Sequence, residues 1–279
     1  MPQQPNTVDM PIVDQSKHPV TLDIVDNIAI VTLNRPDKHN ALNMDMFKAI
    51  DKVSGKLRKN KHIRAVIVQG SGVDFCTGLD IKSILTKPLS GLKLLWKWFP
   101  GSSNLAQRVS TNWRKIPVPV IMSIHGRCWG GGLQIALGAD FRICTPDSTL
   151  SVMEAKWGLI PDMGGTVGMR EIVPLDKALD FAMTAREITA QEALECHLIT
   201  EISDNPKERS LALAKQIAEN SPDAVAKIKR VFHKSWHNND WATLARESFW
   251  QWFMLLGKNQ RIAVKRHSGK SDTPYKPRS

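Results

Sequence analysis

The chain has 279 residues, enough for one large domain or two small ones, and its 42% hydrophobic residues can bury a sizeable core. The net charge of +11 favours an acidic partner, such as nucleic acid, an anionic membrane surface or a phosphorylated small molecule, although a solvated basic surface also accounts for it. No apolar run reaches transmembrane length and the N-terminus lacks signal-peptide regions, so we expect no membrane-spanning or secreted protein.

The four cysteines are Cys76, Cys128, Cys144 and Cys196. None lies at Cys-x-x-Cys spacing, and none has a histidine at ligand spacing. We therefore expect free thiols in a reducing, cytoplasmic compartment and no metal site.

The first elements follow from apolar patterning. Residues 1–19 contain four prolines and are expected to form a loose arm. The run Ile28–Leu33 predicts a strand, and Ala65–Val68 predicts another. Asn43 can cap an intervening helix, because apolar residues recur there at helical spacing. These residues are Met46, Ile50, Val53 and Leu57.

A glycine triplet, Gly130-Gly131-Gly132, separates a predicted buried strand at 117–123 from a predicted buried helix at 134–139. Such a junction leaves the N–H groups of the first helical turn uncovered, so they can hold an anion or a developing oxyanion. Close packing of helix on strand also selects glycine, and the triplet alone leaves both interpretations open. The pattern is neither a P-loop nor the dinucleotide-binding Gly-x-Gly-x-x-Gly.

A second glycine site, around Gly78, follows the strand at 65–68. Together the two sites and their surroundings resemble the crotonase superfamily, the enoyl-CoA hydratases and isomerases, over about residues 20–205. Four motifs in order carry the resemblance: Asn34-Arg35-Pro36 with Asn40-Ala41-Leu42; Phe75 to Lys82; Gly126 with Gly130-Gly131-Gly132; and Glu154 with Gly158, Ile160-Pro161 and Gly164-Gly165.

The resemblance implies an α/β fold, a spiral of repeated ββα units over residues 20–205. A C-terminal helical region, residues 206–279, is expected to serve oligomerisation and active-site closure. Within it, Ser221-Pro222 opens a helix, and Thr189-Ala190-Gln191-Glu192 forms a capping box just upstream. The tail beyond Gly269 is expected to fray.

Residues 236–256 are expected to be helical and aromatic. They include Trp236, Trp241, Phe249, Trp250, Trp252 and Phe253. So many large aromatics exceed what one edge helix buries alone, which indicates a subunit interface. The resemblance implies a homotrimer or a homohexamer.

The resemblance also assigns roles to site residues. It implies that the backbone N–H groups of Leu79 and Gly131 hold the thioester oxygen and so stabilise an enolate. Glu154 follows a predicted strand at 150–152 and precedes Gly158. Taken alone it fits a surface carboxylate; the resemblance makes it the base.

One position departs from the hydratases, which use two glutamates. The first of these falls on Gln134, whose amide cannot take a proton from water. A 1,3-proton shift needs a single base, so we expect double-bond isomerisation. Hydration with an altered water site is the alternative.

Asp162 has two interpretations. The dienoyl-CoA isomerase branch of the family carries an aspartate there and pairs it with the glutamate, although that branch also has an acid at the position of Gln134. Alternatively, Asp162 caps a helix at 166–173.

The resemblance implies an acyl-CoA thioester as substrate, with coenzyme A as part of it and no prosthetic group. Lys82 and either Arg35 or Lys38 are expected to meet the phosphates, and Ala41 and Ile81 to flank the adenine. The less regular, Trp-rich stretch 83–113 either lines an acyl pocket or packs in the core.

A function of another class is RNA binding, because one branch of the family binds AU-rich RNA. The basic residues are dispersed and no RNP motif is present. We therefore expect no nucleic-acid partner, and the lack of an apolar run of transmembrane length leads us to expect no membrane partner.

Overall fold

The computed structural model describes the fold of residues 18–85 and 88–279. Nearly all of the predicted N-terminal arm, residues 1–19, therefore lies outside the described residues.

Nine strands and twelve α-helices make up the described chain. The strands are β1 (Val20–Val25), β2 (Ile28–Leu33), β3 (Ala65–Gly70), β4 (Val120–Ile124), β5 (Arg127–Trp129), β6 (Phe141–Cys144), β7 (Thr149–Ser151), β8 (Ile188–Thr189) and β9 (Glu201–Ile202). The helices are α1 (Met44–Lys59), α2 (Ile81–Leu85), α3 (Pro88–Leu95), α4 (Leu105–Lys115), α5 (Gly131–Ala136), α6 (Gly165–Met169), α7 (Leu175–Thr184), α8 (Ala190–Glu195), α9 (Pro206–Ala218), α10 (Pro222–Ser235), α11 (Asp240–Leu255) and α12 (Lys258–His267).

The strands form two sheets. The larger has the order β1-β2-β3-β4-β6-β9, and only the β1/β2 pair in it is antiparallel. The smaller has the order β5-β7-β8. Each of β4 and β6 in the large sheet is followed directly by a strand of the small one, β5 and β7. The chain therefore winds from one sheet to the other, which is the predicted spiral of strand, strand and helix.

The chain after β3 also passes from the large sheet to the small one, but its second strand is reduced to a single β-bridge. In this bridge, Cys76 pairs in parallel with Cys128 of β5. The Cys76 N–H donates to Arg127 O, and Trp129 N–H donates back to Cys76 O, at 3.1 and 3.0 Å. Three successive turns thus lie side by side, and the residues that follow their second strands are neighbours.

The predictions for the strands at 28–33 and 65–68 and for the helix between them are confirmed. The predicted strand at 28–33 is β2, and the strand predicted at 65–68 extends to Gly70. Asn43 caps α1, since its side chain accepts a hydrogen bond from Met46 N at 2.9 Å. Of the four apolar residues at helical spacing, Met46, Ile50 and Leu57 are buried, and Val53 is partly buried.

The structure differs in detail from the predictions for two stretches of the chain. Residues 83–113 are more regular than expected, because α3 and α4 occupy much of this stretch and Asn104 opens α4 with a full capping box. The aromatic stretch 236–256 is not one helix. Trp236 ends α10, and Asn239 caps a new helix, α11. The Asn239 side chain accepts from Ala242 N, which makes the break a built helix start.

The caps at 189 and 221 are present. Thr189 accepts from Glu192 N at 3.2 Å, and Ser221 accepts from Ala224 N at 3.4 Å. The expected reciprocal bond of a capping box is replaced, because the Glu192 carboxylate binds Arg186. The Glu192 carboxylate therefore pairs with the Arg186 guanidinium and does not bind the backbone N–H of Thr189.

The C-terminal segment divides into two parts. Helix α9 covers the outer face of the large sheet, where Ala214 packs with Ile67 and Ile121. Helices α10 and α11 instead expose most of their large aromatics. Trp250 is the half-buried exception, held against α10 by Lys227, whose Nζ lies 4.1 Å from the ring centroid.

The tail is not frayed, contrary to expectation. Arg278 is buried and donates to Asn60 O at 2.7 Å. The backbone N–H of Ser279 donates to Asp223 Oδ1 at 2.7 Å. Within residues 18–85 and 88–279, no helix combines the length and the apolarity needed to cross a membrane.

A buried ion pair fastens α10 to the core. Lys229 Nζ donates to Asp140 Oδ2 at 2.7 Å and also to the carbonyls of Trp113 and Val118. Burial opposes ionisation of Asp140, but Lys229 and His233 outweigh it, so the pKa of this carboxyl falls below its ordinary value. A cavity of about 740 Å³ lies beside this pair, between α10 and the core.

We expect Lys229→Met to lower the free energy of unfolding by about 3 kcal/mol, the lower end for breaking a buried pair, because His233 would remain beside Asp140. Denaturant unfolding measures this. The matched control is Lys234→Met, an exposed lysine on the same helix, which should change stability by less than about 0.5 kcal/mol. Equal losses in the two variants would contradict the role given to the pair.

Candidate active site

Close backbone contact between two turns of the spiral frames the site. Gly78 has φ +93°, and a Cβ there would lie 2.9 Å from Trp129 O and 3.2 Å from Gly131 N. A Cβ on Gly132 would lie 2.3 Å from Cys76 O, closer than any side chain allows. Both glycines are therefore required by sterics, which supports the close-packing interpretation of the triplet.

The same contact exposes backbone donors. Among the described residues, neither Leu79 N–H nor Gly131 N–H has an acceptor. Both residues line one cavity of about 320 Å³. Since Gly131 begins α5, its N–H is one of the unsatisfied groups of a helix start. The anion-site interpretation and the packing interpretation of the triplet are thus compatible.

A buried aspartate holds the loop that carries Gly78. Asp74 accepts from Arg127 N, Nε and Nη2 and hydrogen-bonds His39 Nδ1, at 2.7–2.9 Å. Burial would raise the pKa of Asp74, but these hydrogen bonds lower it to about 2. Asn40 donates to the carbonyls of Ser71 and Asp74. The Asn40 motif therefore has a structural role in shaping the loop.

Glu154 lies at the same cavity. It begins a single 3₁₀ turn, Glu154–Trp157, three residues beyond the end of β7. A Cβ built on Gly130 would lie 3.7 Å from Glu154 Oε1, which places the carboxylate beside the triplet. Its other oxygen, Oε2, is shielded from solvent and has no hydrogen-bond partner among the described residues. Glu154 is therefore not an ordinary surface carboxylate.

Gln134 binds Glu154 directly. Its amide Nε2 donates to Glu154 Oε1, and its Oε1 accepts from Met163 N at 2.9 Å and from Gly165 N at 3.2 Å. Gln134 is buried, and both ends of its amide are occupied by protein. Gly165 permits this approach, because a Cβ there would lie 2.7 Å from Gln134 Cγ. Gln134 thus fixes the carboxylate and is poorly placed to hold a water.

The environment of Glu154 favours its protonated form. Burial raises the pKa of this carboxyl, the hydrogen bond from Gln134 lowers it, and the nearby Asp162 raises it again, with a net rise. A carboxyl whose pKa is raised toward neutrality can both take and return a proton.

Asp162 lines the cavity and does not cap a helix. Helix α6 begins at Gly165, and Gly164 is its N-cap, so the capping interpretation is wrong. Burial raises the pKa of Asp162 as well. The cavity therefore contains two carboxyls whose pKa values are both raised above their ordinary values.

The walls of the cavity are apolar, and sequence reasoning missed most of them. They include Trp129, Met153, Trp157, Leu159, Ile160 and Met163. Most of these flank Glu154 or the triplet in sequence, which was the available signal. Among the described residues of 83–113, none lines this cavity; Leu105 and Trp113 pack in the core, as one of the two interpretations predicts, and Trp96 and Trp98 are exposed.

The residues expected to contact coenzyme A differ in exposure and in their partners. Ile81 lines the cavity, with Lys82 next to it on α2 and exposed. Lys38 is exposed in a 3₁₀ turn, Pro36–Lys38. Arg35 is bound internally, since it donates to Ala41 O and pairs with Asp80 Oδ2 at 3.2 Å. Between Arg35 and Lys38, the structure leaves Lys38 as the exposed cation.

The surroundings of His125 and of the four cysteines indicate structural roles. His125 Nε2 hydrogen-bonds Gly72 O at 2.9 Å. The four cysteines are free and buried, and burial raises the pKa of the Cys76 and Cys144 thiols to about 12. In the part of the chain that the structure describes, no group of three His, Cys, Asp or Glu residues could hold a metal ion.

The chain is similar in sequence to known proteins. The family model described as "Enoyl-CoA hydratase/isomerase" matches residues 23–262. The mitochondrial Delta(3,5)-Delta(2,4)-dienoyl-CoA isomerase of Rattus norvegicus is 31% identical over 262 residues, which cover 87% of this chain and 78% of that protein. The enoyl-CoA hydratase EchA19 of Mycobacterium tuberculosis is 32% identical over 205 residues, or 72% and 75% of the two chains.

The chain belongs to the enoyl-CoA hydratase/isomerase family. Solved structures agree on the fold: a Bacillus anthracis enoyl-CoA hydratase superposes with a TM-score of 0.82 at 24% identity, covering 92% of this chain and 99% of that one. The crotonase fold inferred from four motifs is thereby confirmed, and so is the expectation of an enzyme of this family.

The raised pKa of Glu154 predicts a pH-dependent effect of Glu154→Gln on stability. The folded protein binds this proton more tightly than the unfolded chain, so stability falls as pH rises from about 4.5 through the raised value. Glutamine has no such penalty. Thermal unfolding should therefore show Glu154→Gln at least as stable as the parent near pH 8, with the gain shrinking as the pH falls toward about 4.5.

The control for this experiment is Glu195→Gln, an exposed glutamate on α8. It should shift the melting temperature little, because the side chain is exposed. A Glu154→Gln variant that lost stability as the pH rose, relative to the parent, would contradict the assignment of a buried, proton-retaining carboxyl.

Proposed function

We propose that the protein isomerises a carbon–carbon double bond in an acyl-CoA thioester, with Glu154 as the residue that moves the proton. The observation that carries the proposal is the state of Glu154. Of the two carboxyls at the cavity, it is the one that Gln134 holds through one oxygen, and its other oxygen is unpartnered among the described residues. The amide that replaces a second glutamate is fully engaged with protein.

The reaction uses no water. The Glu154 carboxylate takes a proton from the α-carbon of a 3-enoyl thioester, and the electron pair moves onto the thioester oxygen. The N–H groups of Leu79 and Gly131 stabilise that oxygen; losing one such donor typically costs about 10²–10³ in rate. The electron pair then returns, and the protonated Glu154 delivers the proton to the γ-carbon. The double bond has moved by one position, and the enzyme is unchanged.

A 1,3-shift needs a single proton carrier, and Glu154 at the cavity can serve as that carrier. Burial keeps the pKa of Glu154 raised, so the group holds the proton between the two steps. Asp162 offers a second carrier for a longer shift of the kind named for the rat relative, which is called a dienoyl-CoA isomerase. Coenzyme A would bind as part of the substrate, with Lys82 and Lys38 near its phosphates and Ala41 and Ile81 near its adenine.

Glu154→Gln should lower the isomerisation rate at least about 10²-fold, the usual size of an acid–base contribution. Asp162→Asn should cost as much with 3,5-dienoyl-CoA only if Asp162 carries a proton; with 3-enoyl-CoA it should cost little. Steady-state rates with 3-enoyl-, 3,5-dienoyl- and 2-enoyl-CoA measure this, and Glu195→Gln is the surface control. Rapid hydration of 2-enoyl-CoA, with no isomerisation of the other two, would assign the enzyme as a hydratase instead.

We also propose that the chain forms a homotrimer or a homohexamer through α10 and α11, and that it works in the cytoplasm. The exposed aromatics Phe232, Trp241 and Trp252 support the first proposal, because such a patch is costly in water. The four buried, free thiols support the second.

Light scattering at micromolar concentration should give three or six times the mass of one chain. Trp241→Asp with Trp252→Asp should reduce that mass, because charges would be buried at the interface. Leu175→Asp, at an equally exposed apolar residue on α7, should not. A monomeric parent protein would contradict the proposal.

A further inference from the structure

A short apolar segment begins at the last residue of α3 and leads toward α4, outside the site described above. It comprises residues 95–99, here called the 95–99 loop. Trp98 is 84% exposed and Phe99 74% exposed, while Leu95 and Trp96 are also largely exposed. Four of its five residues thus place large apolar side chains in water, and the fifth is Lys97. Neither the cavity at Glu154 nor the aromatics of α11 include these residues.

The loop is built and not frayed. The neighbouring Leu94 is buried, and Phe99 O accepts from both Ser102 N and Ser102 Oγ, at 3.0 and 2.7 Å. Asn104, which caps α4, also donates to Leu95 O at 3.5 Å. Hydrogen bonds therefore hold both ends of a segment whose side chains have little to cover them.

Along the sequence, the charged residues on either side of the loop have one sign. The sequence contains no Asp or Glu from residue 81 to residue 139. Lys93 is exposed on the last turn of α3, and Lys97 lies between the two tryptophans. The chain as a whole has a net charge of +11. A partner for this surface is expected to be apolar in part and negatively charged.

We propose that the 95–99 loop docks the protein on an anionic lipid surface. Tryptophan and phenylalanine favour the headgroup level of a bilayer, and flanking lysines are attracted to anionic lipids. The earlier expectation of no membrane partner came from the lack of a spanning segment, which a surface contact does not need.

Two other partners fit the loop less well. A second copy of the same loop would bring lysines of like charge together. Single-stranded RNA stacks its bases on aromatic faces, but the Trp96 and Trp98 rings meet edge to face, 6.3 Å apart at 85°. They therefore do not form parallel platforms. The exposed Leu95 offers nothing to a base, whereas it suits acyl chains.

Flotation with vesicles of phosphatidylcholine, with and without phosphatidylserine, tests the proposal with the full-length chain. The parent protein should float with the phosphatidylserine vesicles. Trp98→Ala with Phe99→Ala, and separately Lys93→Glu with Lys97→Glu, should each reduce the bound fraction about tenfold, because surface binding scales with apolar area and with charge. The matched control is Leu175→Ala with Met183→Ala, two residues 73% and 72% exposed on α7, which should float like the parent.

Isomerisation of a short 3-enoyl-CoA in solution should be unchanged in all these variants, which separates this test from that of the proposed reaction. The proposal is overturned if the parent does not float, or if the loop variants float as well as the parent does. A change of mass in light scattering without flotation would assign the loop to contact between copies. Salt-dependent RNA binding without flotation would assign it to nucleic acid. Either result overturns the proposal.

Discussion

The site depends on one steric constraint, the close approach of backbone to backbone between successive turns of the spiral. The carbonyl of Cys76 lies where a side chain at position 132 would have to be, and Gly78 faces Gly131 N. Only glycine permits this distance. The approach brings two uncapped N–H groups to one cavity, and it places the residues after β7 next to them. The position of Glu154 follows from the same winding.

The polar groups around this contact divide into two sets. Asp74, with Arg127 and His39, is fully hydrogen-bonded and ionised, and it keeps the Gly78 loop in shape. Glu154 has one free oxygen and a raised pKa. The carboxylate that fixes structure is thus saturated with hydrogen-bond donors, whereas the one proposed to move the proton has fewer of them. Asp74 and Glu154 thus differ in the number of hydrogen bonds that their carboxylates accept, and this difference sets the opposite directions of their pKa shifts.

Sequence reasoning found the fold because its motifs are local. The glycines at 78 and 130–132, the cap at Asn43 and the strand patterns are each readable within a few residues. It found Glu154 and Asp162 only through family resemblance. The contact of Gln134 with Glu154 joins residues far apart in sequence, and no periodicity predicts it. The same holds for Arg35, where a distant partner, Asp80, takes up the charge.

The burial of all four cysteines has a practical consequence. Cys76, Cys128 and Cys144 lie in the core, and burial raises the pKa of each of these thiols, so the reactive thiolate is scarce. Maleimide reagents should therefore leave the folded parent protein largely unlabelled. A single cysteine introduced at an exposed position would then carry a fluorophore or a spin label selectively. The native sequence already provides a clean background for spectroscopic distance measurements.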